Sequence, residues 1–227
     1  MILPGGSAVT PVMQCVIDRG TNANPRYAGV FGYNNPNAFA KTLAIGSTNR
    51  FAPNPQDRGQ ATLFLPGQQR NVFYVNFNSG TLVWTLNGLT ATAATNSPLC
   101  ASTTKIVSGI AFLDSNGNGL RGTIVQEPGL PLIVVNLLDA NGAILDTRLT
   151  ALDGSYSFVV DNPAGRFVQA FQPALTRLKF TARDANASIT PGNDVNDSSI
   201  DPATWRTLNL GLLPNPLQGT VNIGLKP

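Results

Sequence analysis

The 227-residue chain has no histidine, one glutamate (Glu127) and two cysteines, and only 12% of its residues are charged, against about 25% in an average globular domain. Each shortage excludes a chemistry. Without histidine there is no Ser-His-Asp or Cys-His nucleophilic machinery, and no imidazole-ligated zinc or copper centre. With one glutamate, glycoside hydrolysis by a carboxylate pair would fall to aspartates. Asp194, Asp197 and Asp201 could serve, but they lie in a polar loop without a substrate platform. No phosphate loop or dinucleotide fingerprint is present. Few windows sustain a helical period, and no apolar run reaches transmembrane length. The expectation is a non-enzyme without a membrane span.

What is abundant is turn chemistry. Hydrophobic residues make up 42% of the chain, enough for ordinary cores, while Asn, Thr, 22 Gly and 17 Pro supply much of the remaining character. That profile is all-β rather than helical. A chain of this length divides most simply into two domains of about 100 residues each. Residues 1–100 carry six Lys/Arg against two Asp, net +4; residues 101–227 carry nine Lys/Arg against nine Asp and one Glu, net −1. The basic residues are scattered, so nucleic acid is not an expected partner. The asymmetry would favour head-to-tail association of subunits.

Cys15 and Cys100 bracket the first half. They are too few and too far apart for zinc. A disulfide between them would stabilise by about 4–5 kcal/mol in the chain-entropy picture. It would also imply an oxidising compartment, so that the protein is secreted, extracellular or on a cell surface. The alternative is two separate buried thiols. Residues 1–6 lack the charged and apolar regions of a signal peptide, so the chain is expected to be a mature form or to start after a leader.

Residues 1–12, with Pro4, Gly5, Gly6 and Pro11, predict an extended arm. It could pack on its own domain or pair with an open sheet edge of a neighbour. Residues 13–100 predict a β-sandwich of seven short strands, at 14–17, 27–33, 39–45, 63–65, 72–77, 82–86 and 90–95. Phe73, Val75 and Phe77 alternate onto one face, as do Leu82, Trp84 and Leu86. Residues 49–60 predict a long turn-rich connection. After a linker at 101–104, residues 105–227 predict a second sandwich, with strands at 105–113, 132–138, 144–150, 156–160, 167–171, 178–182, 205–210 and 221–225.

Between the first two of these strands lies Asp114-Ser-Asn116-Gly-Asn118-Gly119-Leu120. Oxygen-bearing side chains recur at every second position, and a glycine follows the third. Asp114 would supply a carboxylate, Asn116 and Asn118 amide oxygens, and Leu120 a backbone carbonyl, with Gly119 allowing the sharp turn. An all-oxygen set suits calcium. The pattern matches an EF-hand-type loop only in part: its twelfth position is Val125, and Glu127 comes two residues later. The same residues would also make an Asn-Gly hairpin turn with a solvated aspartate.

Gly109-Ile-Ala-Phe112-Leu-Asp114-Ser-Asn116-Gly-Asn118-Gly119, then Glu127-Pro-Gly-Leu-Pro, resembles the SdrD B-like family of bacterial surface proteins, which are prealbumin-like, Cna-B-related β-sandwiches. Residues 135–142 and 150–158 resemble it too. The resemblance covers about 105–227. It implies calcium (Ca2+) held by Asp114, Asn116, Asn118, the Leu120 carbonyl and Glu127, stiffening a rod-like stalk. A late acidic run, Asp194-Val-Asn196-Asp197-Ser-Ser-Ile-Asp201, would complete the same site, form another, or be a solvated loop. Cna-B relatives can instead carry a Lys–Asn isopeptide bond. Lys105 and Asn222 stand in suitable strands, but residues 167–170 offer no acid to shuttle the proton, so the bond is not expected.

The first half resembles a Cys-bracketed module of bacterial secreted and surface proteins. The resemblance rests on Cys15, Phe31-Gly-Tyr33-Asn34, Asn49-Arg50-Phe51, Asp57-Arg58-Gly59-Gln60, Trp84-Thr-Leu86 and Cys100. It implies an extracellular setting and no activity. Arg50, Asp57 and Arg58 are expected to pin a long loop rather than to bind a ligand.

Together these readings predict an all-β chain of two tandem Ig-like or prealbumin-like β-sandwiches. The expected function is structural: a bacterial surface or matrix protein that polymerises through sheet edges into a fibre, stalk or layer. The chain ends at Lys226-Pro227 without a sorting motif, which favours self-association over anchoring, with the arm adding a strand to the next subunit. The alternative is an adhesin or carbohydrate-binding module that uses Tyr27, Tyr33 and Tyr74 as a platform for a glycan or host-surface ligand. A third is an accessory domain of a larger enzyme.

Overall fold

Where apolar residues fall at every second position, the chain forms strands that bury them. The computed structural model describes residues 6–122, 127–171, 178–183, 198–212 and 218–227. It is all-β, with no α-helix among the described residues. The chain divides into two compact units, Met1–Ala101 and Ser102–Pro227.

The first unit contains β1 (Thr10–Asp18), β2 (Tyr27–Asn35), β3 (Lys41–Thr42), β4 (Asn49–Ala52), β5 (Leu63–Phe64), β6 (Gly67–Phe77), β7 (Thr81–Leu86) and β8 (Leu89–Ala94). They make sheets in the orders β1-β2-β6 and β4-β7-β8, with β3 and β5 as a separate pair. The two larger sheets share one aromatic core, a sandwich-like arrangement. Phe31 and Phe73 from one sheet meet Trp84 from the other edge-on, with ring centroids 6.0 and 4.9 Å apart. Such pairs add about 0.5–1.5 kcal/mol beyond the area they bury.

The alternation at Phe73, Val75, Phe77, Leu82, Trp84 and Leu86 is inward throughout. Two expectations need correction. The strand expected at 39–45 shrinks to Lys41–Thr42. The connection at 49–60 contains β4, whose Phe51 is buried against Phe31 and Trp84. Prolines on the C-terminal side of Phe51 hide this short strand from pattern reading.

The first unit is braced by two buried asparagines. Asn49 donates from Nδ2 to the carbonyls of Leu43 and Ala61, and its Oδ1 accepts from Trp84 Nε1 at 2.9 Å. Asn35 donates to Phe39 and Phe64 carbonyls. Both serve the irregular excursion around β3 and β5, where Phe39, Leu43 and Ala61 lie outside the two-residue strands.

Cys15 and Cys100 form a disulfide, with Cα atoms 4.8 Å apart. The Cys100 amide donates to the Val16 carbonyl, and the Val16 amide to Pro98, so the end of the unit runs beside β1. The boundary drawn for the arm at residue 12 falls inside a strand. Thr10, Pro11 and Val12 pair with Asn34, Tyr33 and Gly32 of the same chain, and Val9 is fully buried. Residues 6–12 therefore pack in cis, while residues 1–5 lie outside the described residues.

The second unit contains β9 (Lys105–Leu113), β10 (Val134–Leu138), β11 (Ile144–Leu149), β12 (Ser155–Val160), β13 (Phe167–Ala170), β14 (Lys179–Phe180), β15 (Gln218–Thr220) and β16 (Ile223–Lys226). One sheet runs β12-β9-β16-β14, with β15 also on β9; the other runs β11-β10-β13. Val107, Tyr156, Phe158 and Ile223 from the first meet Val135, Leu137 and Val168 from the second in one core. The strand expected at 205–210 is absent. Trp205 takes a left-handed turn conformation (φ 59°), and Leu210–Leu212 is a 3-10 turn. Asn209 Oδ1 accepts the amides of Gly165 and Gly211 there, which competes with any ladder.

Asn49→Ala would strand two half-buried carbonyls and a buried indole N–H. The expected loss is about 3 kcal/mol from the first unit, read as an earlier urea transition of that unit alone. Replacing Cys15 and Cys100 together by alanine is expected to cost the same unit about 4 kcal/mol, leaving the second unit's transition unmoved.

Candidate metal centre

The loop after β9 is a hairpin excursion, and its closure sets the geometry. Past Leu113 the chain leaves the sheet, and at residues 128–130 it returns antiparallel along the end of β9. Phe112 pairs with Gly129, the Leu113 amide donates to the Pro128 carbonyl, and the Leu130 amide donates to Ala111. Continuing that register two residues on each side brings Asp114 opposite Glu127. Directly opposed residues of an antiparallel pair project to the same face, with Cβ atoms about 5 Å apart. Glu127 Oε1 accordingly accepts the amide of Ser115 at 2.9 Å, and its Oε2 accepts that of Gly122 at 3.4 Å. The two-residue delay relative to an EF-hand-type loop is the number the hairpin needs to bring its glutamate level with Asp114.

Both carboxylates are buried, Asp114 at 0% exposure and Glu127 at 3%. Asp114 Oδ1 accepts the Asn118 amide at 3.1 Å and Oδ2 the Gly119 amide at 2.8 Å. Oδ2 also accepts the Thr181 hydroxyl. All these donors are neutral. The ion pairs found among the described residues are Asp18–Arg26 and Asp146–Arg148, so neither buried carboxylate has a basic partner there. Two like charges placed opposite one another and out of water repel, and burial amplifies the repulsion.

Asn116 and Asn118 are exposed. Their Oδ1 atoms accept the amides two residues on, Asn118 and Leu120, at 2.9 and 2.8 Å. Gly117 and Gly119 have φ of 71° and 80°, which L side chains rarely adopt, and so let the loop fold over Asp114. Asp114 Oδ2 already accepts two hydrogen bonds, while Asp114 Oδ1, both Glu127 oxygens and the two amide oxygens each keep a further lone pair. The donor set of two carboxylates, two amide oxygens and the Leu120 carbonyl fits a hard cation of calcium type. No group of three acidic, histidine or cysteine side chains converges among the described residues, so the neutral oxygens would have to complete the shell.

Thr181 and Ser198 belong to the site and carry no motif signal. Thr181 follows β14 and is fully buried against Asp114. The Ser198 amide donates to the Gly119 carbonyl at 3.3 Å. That contact brings Ser198, a residue of the late acidic run, to the loop. Asp194 and Asp197 themselves lie outside the described residues. Asp201 accepts the Ala203 amide, which holds its carboxyl below the usual range.

Other candidates are not brought together. Lys105 is buried, which lowers its pKa. Asn222, however, sits level with Ile110, whose amide its Oδ1 accepts at 3.1 Å. Five residues of strand, about 17 Å, separate Lys105 from Ile110, so an isopeptide bond between Lys105 and Asn222 is excluded by register. Tyr27 and Tyr33 are buried and Tyr74 is half-buried, so these three form no exposed aromatic platform. Arg58 donates to the carbonyls of Pro53 and Asn54, and Asp57 accepts the Gly59 amide, so both pin their own loop. A scan against protein-family models finds no match for this chain, and a search of curated proteins finds none.

Proposed function

We propose that this chain is a non-catalytic structural protein of a bacterial surface or extracellular matrix, built from two Ig-like or prealbumin-like sandwiches, the second stiffened by calcium. The observation that carries the reading is Asp114 opposite Glu127, both buried, with neutral donors only. Asp114, Asn116, Asn118, Leu120 and Glu127 would hold the ion. When bound, it supplies the positive charge that turns a repulsive pair into a cross-link between β9 and the returning strand.

The surroundings of the loop say what such a link would do. Asp114 is tied through its amide to the Leu225 carbonyl on β16, and through its carboxylate to Thr181 beside β14. A cation there would brace four segments of one sheet at one end of β9, which is stiffening rather than catalysis. The Cys15–Cys100 disulfide is compatible with an oxidising, extracellular setting. No helix among the described residues is long and apolar enough to cross a membrane. The expected assembly is a fibre, stalk or layer made by contacts between sheet edges. Because residues 6–12 pack in cis, any strand donation by the arm falls to residues 1–5.

The test is thermal unfolding in calcium and in chelator. At a calcium concentration 100-fold above Kd, the second unit is expected to gain about 2.7 kcal/mol, while the first unit stays unchanged. Identical transitions in both conditions would overturn the calcium reading. Glu127→Gln gives a sharper check, because its effect should change sign. In chelator it relieves the opposed charges and stabilises by about 0.5 kcal/mol; in calcium it removes a ligand and destabilises. Assembly is read by negative-stain microscopy of the full chain. Filaments or sheets that disperse in chelator are expected, and a monodisperse monomer in both conditions would overturn the polymer reading.

A further inference from the structure

Strand β11 lies at the end of its sheet, and β10 is its only strand partner among the described residues. It is also unusually apolar for an edge. Ile144, Leu145 and Leu149 are 58%, 49% and 57% exposed, and Leu152 just beyond is 91% exposed. Exposed apolar edge strands are templates for pairing.

The backbone shows which groups are open. Thr150 donates its amide to Ile133 and accepts the Leu132 amide, so Thr150, and by alternation Arg148, turn their polar groups inward to β10. Leu149 and Thr147 therefore turn theirs outward. At Thr147 both outward groups are covered by the flanking side chains. Asp146 Oδ1 accepts the Thr147 amide at 2.8 Å, and Arg148 Nη1 donates to the Thr147 carbonyl at 3.1 Å. Asp146 and Arg148 also form an ion pair with each other. The edge carries a latch made from its own residues.

The sequence of the edge, Leu145-Asp146-Thr147-Arg148-Leu149, reads with the same character in both directions except that its charges are opposite. In an antiparallel pair of two such strands centred on Thr147, Asp146 faces Arg148 on the same face, and Leu145, the residue at which β11 bulges against β10, falls beside Leu149. The occupant with the complementary charge order is therefore another β11.

We propose that β11 is a self-recognition edge, through which two copies of the chain pair antiparallel about a two-fold axis at Thr147, exchanging the Asp146–Arg148 ion pair within each strand for two between strands. The partner's Thr147 supplies the amide and carbonyl that the latch side chains now satisfy, so no backbone group is left unpaired by the exchange. The contact is isologous and closes on itself. With only six residues a side, it is small and the dimer is reversible. The inference deepens the reading of the chain as self-associating by naming one contact, and it does not depend on calcium.

Sedimentation velocity over a concentration series, in calcium and in chelator, tests it on the full chain. The wild type is expected to shift reversibly from monomer to dimer mass in chelator, where filaments disperse, and to keep the same contact within the assemblies formed in calcium. Asp146→Arg alone faces like charge across the axis and is expected to stay monomeric, as is Arg148→Asp alone. An equimolar mixture of these two variants is expected to recover the dimer, since each residue then faces its opposite. Thr147→Pro removes an outward amide and the hydroxyl that donates to Asn136 Oδ1 but no backbone bond to β10, and is expected to be monomeric yet folded, by circular dichroism. A wild type that stays monomeric at every concentration, a mixture no more associated than its components, or a dimer indifferent to Thr147→Pro would each overturn the proposal. None of these outcomes would touch the calcium-dependent stability shift.

Discussion

A strand paired along both edges leaves almost no backbone polar group for water, and the second unit is arranged around one. β9 meets β12 antiparallel on one side, and β15 and β16 in parallel on the other. Its N-terminal half is served by β12, and its last residues by the segment returning at 128–130. Because that return completes the same edge, its register is not free. The residue that leaves the sheet, Asp114, and the residue that re-enters it, Glu127, are forced level with each other. The electrostatic problem at the loop is thus a consequence of backbone hydrogen bonding. Gly109 and Gly129 make the crowding visible: a Cβ at either would sit within 2 Å of a carbonyl oxygen, of Val221 and Asp153 respectively.

Much of this was legible in the sequence, for a physical reason in each case. Period-two burial read correctly at β6 and β7, where one face is core and the other solvent. β9 was legible end to end as an apolar run closed by an oxygen-rich turn. Asp114, Asn116 and Asn118 stood out because their spacing is local. Thr181 and Ser198 did not, because a Thr181 hydroxyl that reaches the loop from 67 residues away, or a Ser198 backbone amide, leaves no mark on spacing. Tyr27 and Tyr33 looked available as a platform; they are core residues, since β2 is buried along nearly its whole length, Asn34 excepted. The misread strand at 205–210 shows the opposite failure. Trp205 and Leu210 are apolar at a plausible spacing, but Asn209 between them holds its neighbours' amides and bends the chain.

The two units reach order by different means. The first is tied by a disulfide and by asparagine side chains that bond backbone carbonyls around β3 and β5. The disulfide joins β1 to the end of the unit, and the asparagines brace the irregular stretch around β3 and β5. The second has no cysteine. Its long excursion, residues 114–127, is closed instead by buried acids. A disulfide closes a loop by constraining the unfolded chain, whereas a pair of acids closes one only if something neutralises them. On the reading proposed above, the first unit is locked once and the second is left responsive to its ionic surroundings.

In a chain with 12 acidic residues and 15 basic ones, the placement of each charge carries weight. Asp18 and Arg26 pair across the β1–β2 turn. Asp146 and Arg148 pair along an edge, capping the groups an intruding strand would seek. Arg58 spends its charge on two carbonyls that hold a proline-rich loop. In every one of these places the charge meets an opposite charge or a backbone dipole at the protein surface. Asp114 and Glu127 break that pattern twice over, being buried and of like sign. Solvation by a few amides and a hydroxyl can hold one carboxylate in the interior, because hydrogen bonds to the charged form favour it. They do nothing for the repulsion between two, which grows as water is excluded. A protein that needed only a turn there could have closed it with Asn or Ser at either position. Retaining both acids makes physical sense if a cation completes the arrangement.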